Sequence, residues 1–204
     1  MRRYNAVAFH PIALPDEYDR AQLALRIAFG ALLGMVGLSF GALALFVYVA
    51  LPVAVSMFVS RDDTHAFASR DAPVIERWLR WMMAASAYFA LVTDRFPVDR
   101  ANELVTIQVH PAAIARPTVG SALLRLAKTL PGLAVWALLC CIGSIVWLIA
   151  AVSILFRRRY ATGLRTYMIG VLRYQACLLA YHASLVDAYP PFELDDPHAS
   201  AART

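Results

Sequence analysis

The stretch LVTDRFPV, at residues 91–98, closes an apolar, helix-like run with an acid, an aromatic residue and a proline. LVDAYPPF, at residues 185–192, closes a second run in nearly the same way. Both endings contain the pattern Asp-x-aromatic-Pro, which places Asp94 and Asp187 93 residues apart (187 − 94). The recurrence of one ending within a short chain predicts an internal repeat.

Further matches extend this repeat toward the N-terminus. Arg80 and Arg173 are also 93 residues apart (173 − 80). The LRIA of residues 25–28 and the LRLA of residues 124–127 are 99 residues apart (124 − 25), so the separation drifts in one direction. We interpret the drift as small deletions in the loops of one copy.

Each predicted unit has the same order of segments. A strand-like alternation comes first (VAF before His10, VTIQV before His110), followed by a long apolar helix, a loop with basic residues, a second helix and the Asp-x-aromatic-Pro ending. Proline cannot continue a helix, and we expect it to explain why the second helix stops in each unit. The predicted ranges are a first membrane repeat at 1–100, a second membrane repeat at 101–194 and a polar C-terminal tail at 195–204.

The composition predicts a membrane protein. Of the 204 residues, 60% are hydrophobic and 16% charged, whereas soluble domains have roughly half and about a quarter. Two low-charge stretches, 27–60 and 129–156, exceed the roughly 20 apolar residues that cross a bilayer. Two shorter ones lie at 81–93 and 166–186. We expect an all-α integral membrane protein, each unit adding a two-helix membrane hairpin to its strand, with four transmembrane helices, or fewer if some segments are re-entrant or interfacial.

Arginines inside apolar helices are costly and often functional, which singles out Arg80 and Arg173. Each precedes its unit's aspartate, Asp94 or Asp187, by 14 residues. Along a continuous helix, 14 steps of ~100° return to within about 40° of the same face. We therefore expect a face that contacts lipid or a partner, although both arginines would also suit snorkelling to the headgroups.

Two further groups are candidate contact residues. Small residues spaced four apart let helices approach closely in lipid, so we expect helix packing at Gly30, Gly34, Gly37 and Gly41. The net charge of +5 comes from arginines spread around helix ends, which favours anionic lipid over nucleic acid. The candidate lipid or partner contacts, besides the two arginines and two aspartates above, are Arg157, Arg158, Arg159, Tyr189 and Pro190.

The sequence has no motif that indicates catalysis. No nucleophile elbow, phosphate-binding glycine loop or HExxH stretch is present. The three cysteines are an odd number without metal-ligand spacing, which argues against a zinc site or a disulfide framework. We expect no enzyme activity, no cofactor and no metal.

The second unit resembles a bacterial membrane-protein family known only as a domain of unknown function, of the 4389 type. The resemblance rests on VSILFRRRYATGLR at 152–165, VLRY at 171–174 and AYPPFEL at 188–194. The first unit departs from this pattern: its loop after the apolar run is longer and partly acidic, and Val98 stands where the second unit has Pro191. The resemblance implies a bacterial inner-membrane protein and implies no substrate or catalytic residue.

These observations lead to two functional hypotheses. The first is a non-enzymatic accessory, scaffold or assembly subunit of a larger inner-membrane complex, multi-pass, whose partners are other membrane subunits or further copies of itself. The second is a small transporter or lipid-handling protein with a site between the two repeats. Arginines on the two sides of the predicted helices are nearly balanced, so the side of the termini stays open.

Overall fold

The computed structural model describes residues 7–12, 14–35, 40–61, 70–98, 101–109, 118–191 and 194. In chain order the elements are β1 (Val7–Pro11), α1 (Arg20–Met35), α2 (Phe40–Arg61), α3 (Ala72–Phe89), α4 (Ala101–Leu104), β2 (Val105–Val109), α5 (Val119–Lys128), α6 (Leu130–Arg157) and α7 (Thr162–His182). The protein is mostly helical. Gly37, His110 and the predicted tail at 195–204 lie outside the described residues.

The two strand-like segments form a small antiparallel sheet. Val7 lies opposite Val109, and Phe9 lies opposite Ile107. Both strands bury alternate residues in the same order, so Phe9 and Ile107 are in the core. Alternation with a period of two is what a half-buried strand requires. The prediction of two strand segments is confirmed, and each segment pairs with the other.

Helix α6 is the one helix in the described part of the chain that is long and apolar enough to cross a membrane. Its 28 residues span roughly 42 Å at ~1.5 Å per residue. An 18-residue window has a mean hydropathy of 2.6, yet only 28% of that window is buried inside the protein. Large apolar side chains are exposed along its length, namely Leu138, Ile142, Ile145, Leu148, Ile149, Val152, Leu155 and Phe156.

Among the residues whose side chains are described, the other apolar segments do not meet the same criterion. Residues 27–35 lie on α1 and residues 40–60 lie on α2. The apolar stretch of α2 with described side chains, Phe46–Ser60, is shorter than a membrane span. Helix α3 is amphipathic and carries Glu76 and Arg80. Helix α7 is largely buried inside the protein. An apolar run of about twenty residues fills a protein core as well as a bilayer, which is why sequence length alone predicted more crossings.

Helix α3 ends at Phe89. Leu91 then adopts a left-handed conformation with φ 62°, and the N–H of Val92 donates to the carbonyl of Ala87 at 2.9 Å. A left-handed residue with this bond is a common helix terminator. Pro97 follows the last helical residue by eight positions (97 − 89), so it does not end the helix.

Helix α7 ends in the same way. Its last residue is His182, Ser184 has φ 57°, and the N–H of Leu185 donates to the carbonyl of Ala180 at 2.9 Å. Pro190 again lies eight positions beyond (190 − 182). The expectation that proline stops these two helices was therefore wrong: the left-handed residue after each helix turns the chain.

The core contains residues from both predicted repeats. The main cluster joins Phe9, Val55 and Met83 to Ile107 and Leu172. The smaller cluster also mixes the halves, packing Tyr18 and Leu23 with Ile154 and Tyr160. Neither cluster among the described residues is confined to residues 1–100 or to residues 101–194.

Candidate functional site

The first arginine cluster consists of Arg26, Tyr88, Thr93 and Asp94. Arg26 is only 3% exposed. Its guanidinium donates to Asp94 Oδ1 at 2.9 Å and to the Thr93 carbonyl at 2.6 Å. The Arg26 Cζ atom also lies 4.1 Å from the centroid of the Tyr88 ring, within the range of a cation–π contact. These contacts offset the cost of burying a charge on an apolar helix.

Asp94 joins this cluster to the start of α1. Its second oxygen, Oδ2, accepts the backbone N–H of Asp19 at 2.9 Å. Asp19 directly precedes the first helical residue, Arg20. A carboxylate at a helix N-terminus satisfies an unpaired N–H and interacts favourably with the helix dipole. Asp94 therefore binds α1 at two places: at its N-terminus through the Asp19 N–H, and in its second turn through Arg26.

The second arginine cluster consists of Arg125, Tyr181, Val186 and Asp187. Arg125 is 5% exposed. It donates to Asp187 Oδ1 at 2.5 Å and to the carbonyls of Tyr181 and Val186 at 2.5 and 2.7 Å. Its Cζ lies 4.6 Å from the Tyr181 ring centroid. The guanidinium is thus bound to a carboxylate, two backbone carbonyls and an aromatic face.

The two clusters use residues at the separations already seen in the sequence. Arg26 and Arg125 are 99 residues apart (125 − 26). The other members of each cluster, paired as Tyr88 with Tyr181, Thr93 with Val186 and Asp94 with Asp187, are all 93 residues apart. They differ in exposure, since the Asp94 side chain is 17% exposed and the Asp187 side chain 72%.

The predicted site arginines lie elsewhere. Arg80 pairs with Glu76 at 2.8 Å and donates to Asn102 Oδ1 at 2.8 Å. Arg173 donates to the carbonyl of Leu194 at 3.1 Å. Both therefore hold the chain segment that follows their unit's Asp-x-aromatic-Pro ending.

The argument that Arg80 and Asp94 share a helix face fails, because Asp94 lies five residues beyond the last residue of α3 (94 − 89). The same holds for Arg173 and Asp187. The arginines that do bind the aspartates were visible in the sequence, since Arg26 and Arg125 stand at matching positions of LRIA and LRLA.

Close helix packing occurs at a glycine that the GxxxG pattern did not indicate. A Cβ atom added to Gly132 of α6 would lie 2.6 Å from Leu178 Cδ1 and 2.7 Å from Tyr189 Oη. By contrast, a Cβ atom on Gly30 or Gly34 would meet nothing within 4 Å. Gly41 lies on α2, and its surroundings are outside the description.

Tyr189 and Pro190 belong to the segment after α7, which packs against α6 near Gly132. The Tyr189 ring packs edge-on against Tyr181 with centroids 5.1 Å apart, and Pro190 is buried. Burial raises the pKa of Tyr189 above its usual value. The Tyr-Pro ending therefore packs onto the second arginine cluster instead of extending into solvent.

The C-terminal end of α6 is a basic surface formed by Arg157, Arg158 and Arg159, all exposed. Arg158 ends the helix with φ 55°. Arg20 reaches the same end and donates to the Phe156 carbonyl at 3.2 Å. Four arginines therefore meet where the exposed apolar stripe of α6 stops.

Two tyrosines lie beneath this basic end. Tyr18 and Tyr160 pack edge-on with centroids 5.9 Å apart, and the Tyr18 N–H donates to the Arg158 carbonyl at 2.9 Å. Burial raises the pKa of both phenols; for Tyr18 the neighbouring Arg165 partly offsets the effect. Both hydroxyls are therefore neutral at physiological pH.

An open apolar groove of about 340 Å³ lies between α3, α6 and α7. Its lining residues are Phe89, Ala90, Cys140, Gly143, Ser144, Trp147, Met168 and Val171. Trp147 Nε1 donates to the Phe89 carbonyl at 2.8 Å at its edge. Cys140 is a free thiol, and the described residues contain no group of three metal-binding side chains.

In the described part of the chain, these features define a mostly helical protein with a two-stranded sheet, two buried arginine clusters and one helix able to cross a membrane. Residues 120–193 match the family model of a domain of unknown function, DUF4389. This match lies in the second half of the chain and confirms the resemblance inferred from its motifs. No curated protein and no solved structure matches the chain.

Proposed function

We propose that the protein is a non-enzymatic accessory, scaffold or assembly subunit of a larger complex in a bacterial inner membrane. The observation that carries this proposal is the exposed apolar stripe of α6, which runs from Leu138 to Phe156 without a charged residue. Such a stripe is unfavourable in water and favourable against lipid or a partner helix.

Helix α1 supplies a second surface suited to helix contact. Leu25, Phe29 and Leu32 are exposed on it, and the neighbouring Gly30 and Gly34 have open space above them. Small residues beside large apolar ones let a second helix approach closely in lipid. This surface supports contact with another membrane subunit or a further copy of the chain.

The finer architecture that we propose is two tandem membrane repeats. Its support is the pair of arginine clusters, whose members recur at separations of 93 and 99 residues. In this arrangement Arg157, Arg158 and Arg159 contact anionic headgroups at the cytoplasmic end of α6.

The direct test is to extract the natively expressed, tagged protein in mild detergent and measure the native mass of what is released. A stoichiometric assembly with other membrane proteins supports the subunit role. The control is the same extraction from cells that carry Gly30→Leu and Gly34→Leu, which should lose partners without losing the folded chain. A monodisperse monomer without co-purifying protein contradicts the proposal.

The apolar groove favours a second candidate, a lipid-handling or transport protein. Phe89 and Ala90 line the groove from the first half of the chain, while Trp147 and Met168 line it from the second. The groove therefore lies between the two halves, which supports a binding site there. Native mass spectrometry should show retained lipid, and Gly143→Phe should displace it. An unchanged lipid content would contradict this candidate.

A further inference from the structure

We infer that residues 7–98 and 101–191 meet across an interface of the kind found in symmetric dimers, in which each half completes the core of the other. The surface that each half buries against the other fits a second copy of the same unit, and the other half of the chain is that copy. This inference concerns how the fold is assembled and does not depend on the proposed function.

The sheet gives the first argument. The two strands pair antiparallel, with Phe9 opposite Ile107 at the centre. The two strands also share one burial pattern. Two equivalent strands that pair antiparallel are related by a two-fold axis through their central pair, as in an isologous interface.

Contacts of the strands and helices between the two halves also occur in matching pairs. Strand β1 packs on α7 and strand β2 packs on α3, so each strand lies against the last long helix of the other half. Helix α1 packs on α6, and α5 packs on α2. Each of these contacts therefore has a counterpart in which the halves change places.

Hydrogen bonds between the halves give an independent argument. His182 Nε2 lies 2.6 Å from the carbonyl oxygen of Tyr48, and the two rings stack with centroids 4.7 Å apart. Trp147 Nε1 donates to the carbonyl of Phe89. Tyr48 and Trp147 are 99 residues apart, and Phe89 and His182 are 93 apart. Tyr48 and Trp147 thus occupy matching positions, and so do Phe89 and His182. In one contact the side chain of His182 bonds the backbone of Tyr48, and in the other the side chain of Trp147 bonds the backbone of Phe89.

The consequence is that neither half is a complete structure. Separation would expose Phe9 and Ile107, which are 0% and 1% exposed in the chain. It would also leave each half with one unpaired strand, and even an isolated two-stranded hairpin is only marginally stable in water. The surface exposed by separation is apolar and matches a second copy of the same unit.

The experiment is to insert a protease site between residues 98 and 101 of the full chain, purify the protein in mild detergent and cleave it. We expect the two fragments to remain together in gel filtration and to separate only on unfolding. Fragments that elute separately and keep their helical content would overturn the inference.

A second measurement needs no insertion. In hydrogen exchange of the intact chain, the amides in the middle of α3 and of α7 should open with equal free energy, because one interface holds both helices. Distinct opening free energies, with one half exchanging while the other stays protected, would also overturn the inference. Hydrogen exchange tests the inference even if the protein with the inserted protease site does not fold.

Discussion

Asp94 accepts the guanidinium of Arg26 through one carboxylate oxygen and the backbone N–H of Asp19 through the other, both at 2.9 Å. One side chain after α3 therefore holds both the beginning and the interior of α1. Arg26 also donates to the buried carbonyl of Thr93. The contact joins residues 68 positions apart, which makes it a tertiary link and not a local turn.

Replacing Arg26 by Met should lower the free energy of unfolding by about 3 kcal/mol, because it leaves the mostly buried Asp94 carboxylate without its cationic partner. The measurement is thermal or denaturant unfolding in detergent. Arg95→Met, one residue after Asp94 and exposed, is the matched control and should change stability by less than about 0.5 kcal/mol. Equal effects of the two substitutions would contradict the role assigned to Arg26.

In the second arginine cluster, replacing Asp187 and replacing Arg125 should lower the stability by different amounts. Asp187→Asn should cost less than about 1 kcal/mol, because that side chain is 72% exposed. Arg125→Met should cost about 3 kcal/mol, because it leaves the buried carbonyl of Val186 without its donor and removes one of the two donors to the carbonyl of Tyr181. The same unfolding measurement tests both, and a larger loss for Asp187→Asn would reverse the expected order.

Gly132→Ala should destabilise the protein by about 1 kcal/mol, because the added methyl group would meet the ends of the Leu178 and Tyr189 side chains at less than 3 Å and both side chains must shift. Gly30→Ala is the control, with open space at its position, and should be neutral or stabilising by up to about 1 kcal/mol. Melting temperatures of the two variants in one detergent check this prediction. A neutral Gly132→Ala would show that α6 and α7 are not in close contact there.

Ile145→Lys tests whether the α6 stripe faces lipid. Ile145 is 63% exposed, so in water the change should alter stability by less than about 0.5 kcal/mol. At the centre of a membrane helix, lysine costs roughly 3 kcal/mol. We expect a lower fraction of protein in the carbonate-resistant membrane pellet, with Arg157→Lys as the unaffected control. An unchanged membrane fraction would show that this face does not lie in the bilayer.

Alkaline pH should loosen the contact between the start of α1 and the end of α6. Burial raises the pKa of Tyr18 and Tyr160 in the folded protein, so the folded state holds these protons more tightly than the unfolded state. Their contribution to stability is complete below the unfolded pKa of about 10 and is lost as pH rises from there through the folded pKa. Unfolding measured between pH 8 and pH 12 should show this decline.

Tyr160→Phe should reduce the decline, since it removes one of the two titrating groups. It should also leave stability at neutral pH unchanged or raised by about 1 kcal/mol, because the Tyr160 hydroxyl is buried with no hydrogen-bond partner among the described residues. A variant with the same pH profile as the original protein would contradict the assignment to this pair.

Several elements could be predicted from local pattern. The alternation in VAF and VTIQV predicted the two strands, and uninterrupted hydropathy predicted α6. The motifs at the end of the chain indicated the family of its second half. Each of these features depends on neighbouring residues, which a sequence displays directly.

The partners of charged residues could not be predicted in the same way. Arg80 and Asp94 have a spacing that suits one helix face, but α3 ends at Phe89, where Leu91 adopts a left-handed conformation that leucine rarely takes. That turn sends Asp94 back to Arg26. The matched positions of Arg26 and Arg125 were the only sequence signal for the true pairing.

The sequence by itself determined the apolar composition, the two strands, the long apolar helix α6 and the recurrence of arginine and aspartate at nearly constant separations. Only the tertiary structure decided which arginine binds which aspartate, which glycine packs closely, and that β1 pairs with β2. The physical reason is that periodicity and hydropathy act over a few residues. Contacts such as that between Tyr48 and His182 form between residues 134 positions apart, and their geometry exists only once the chain has folded.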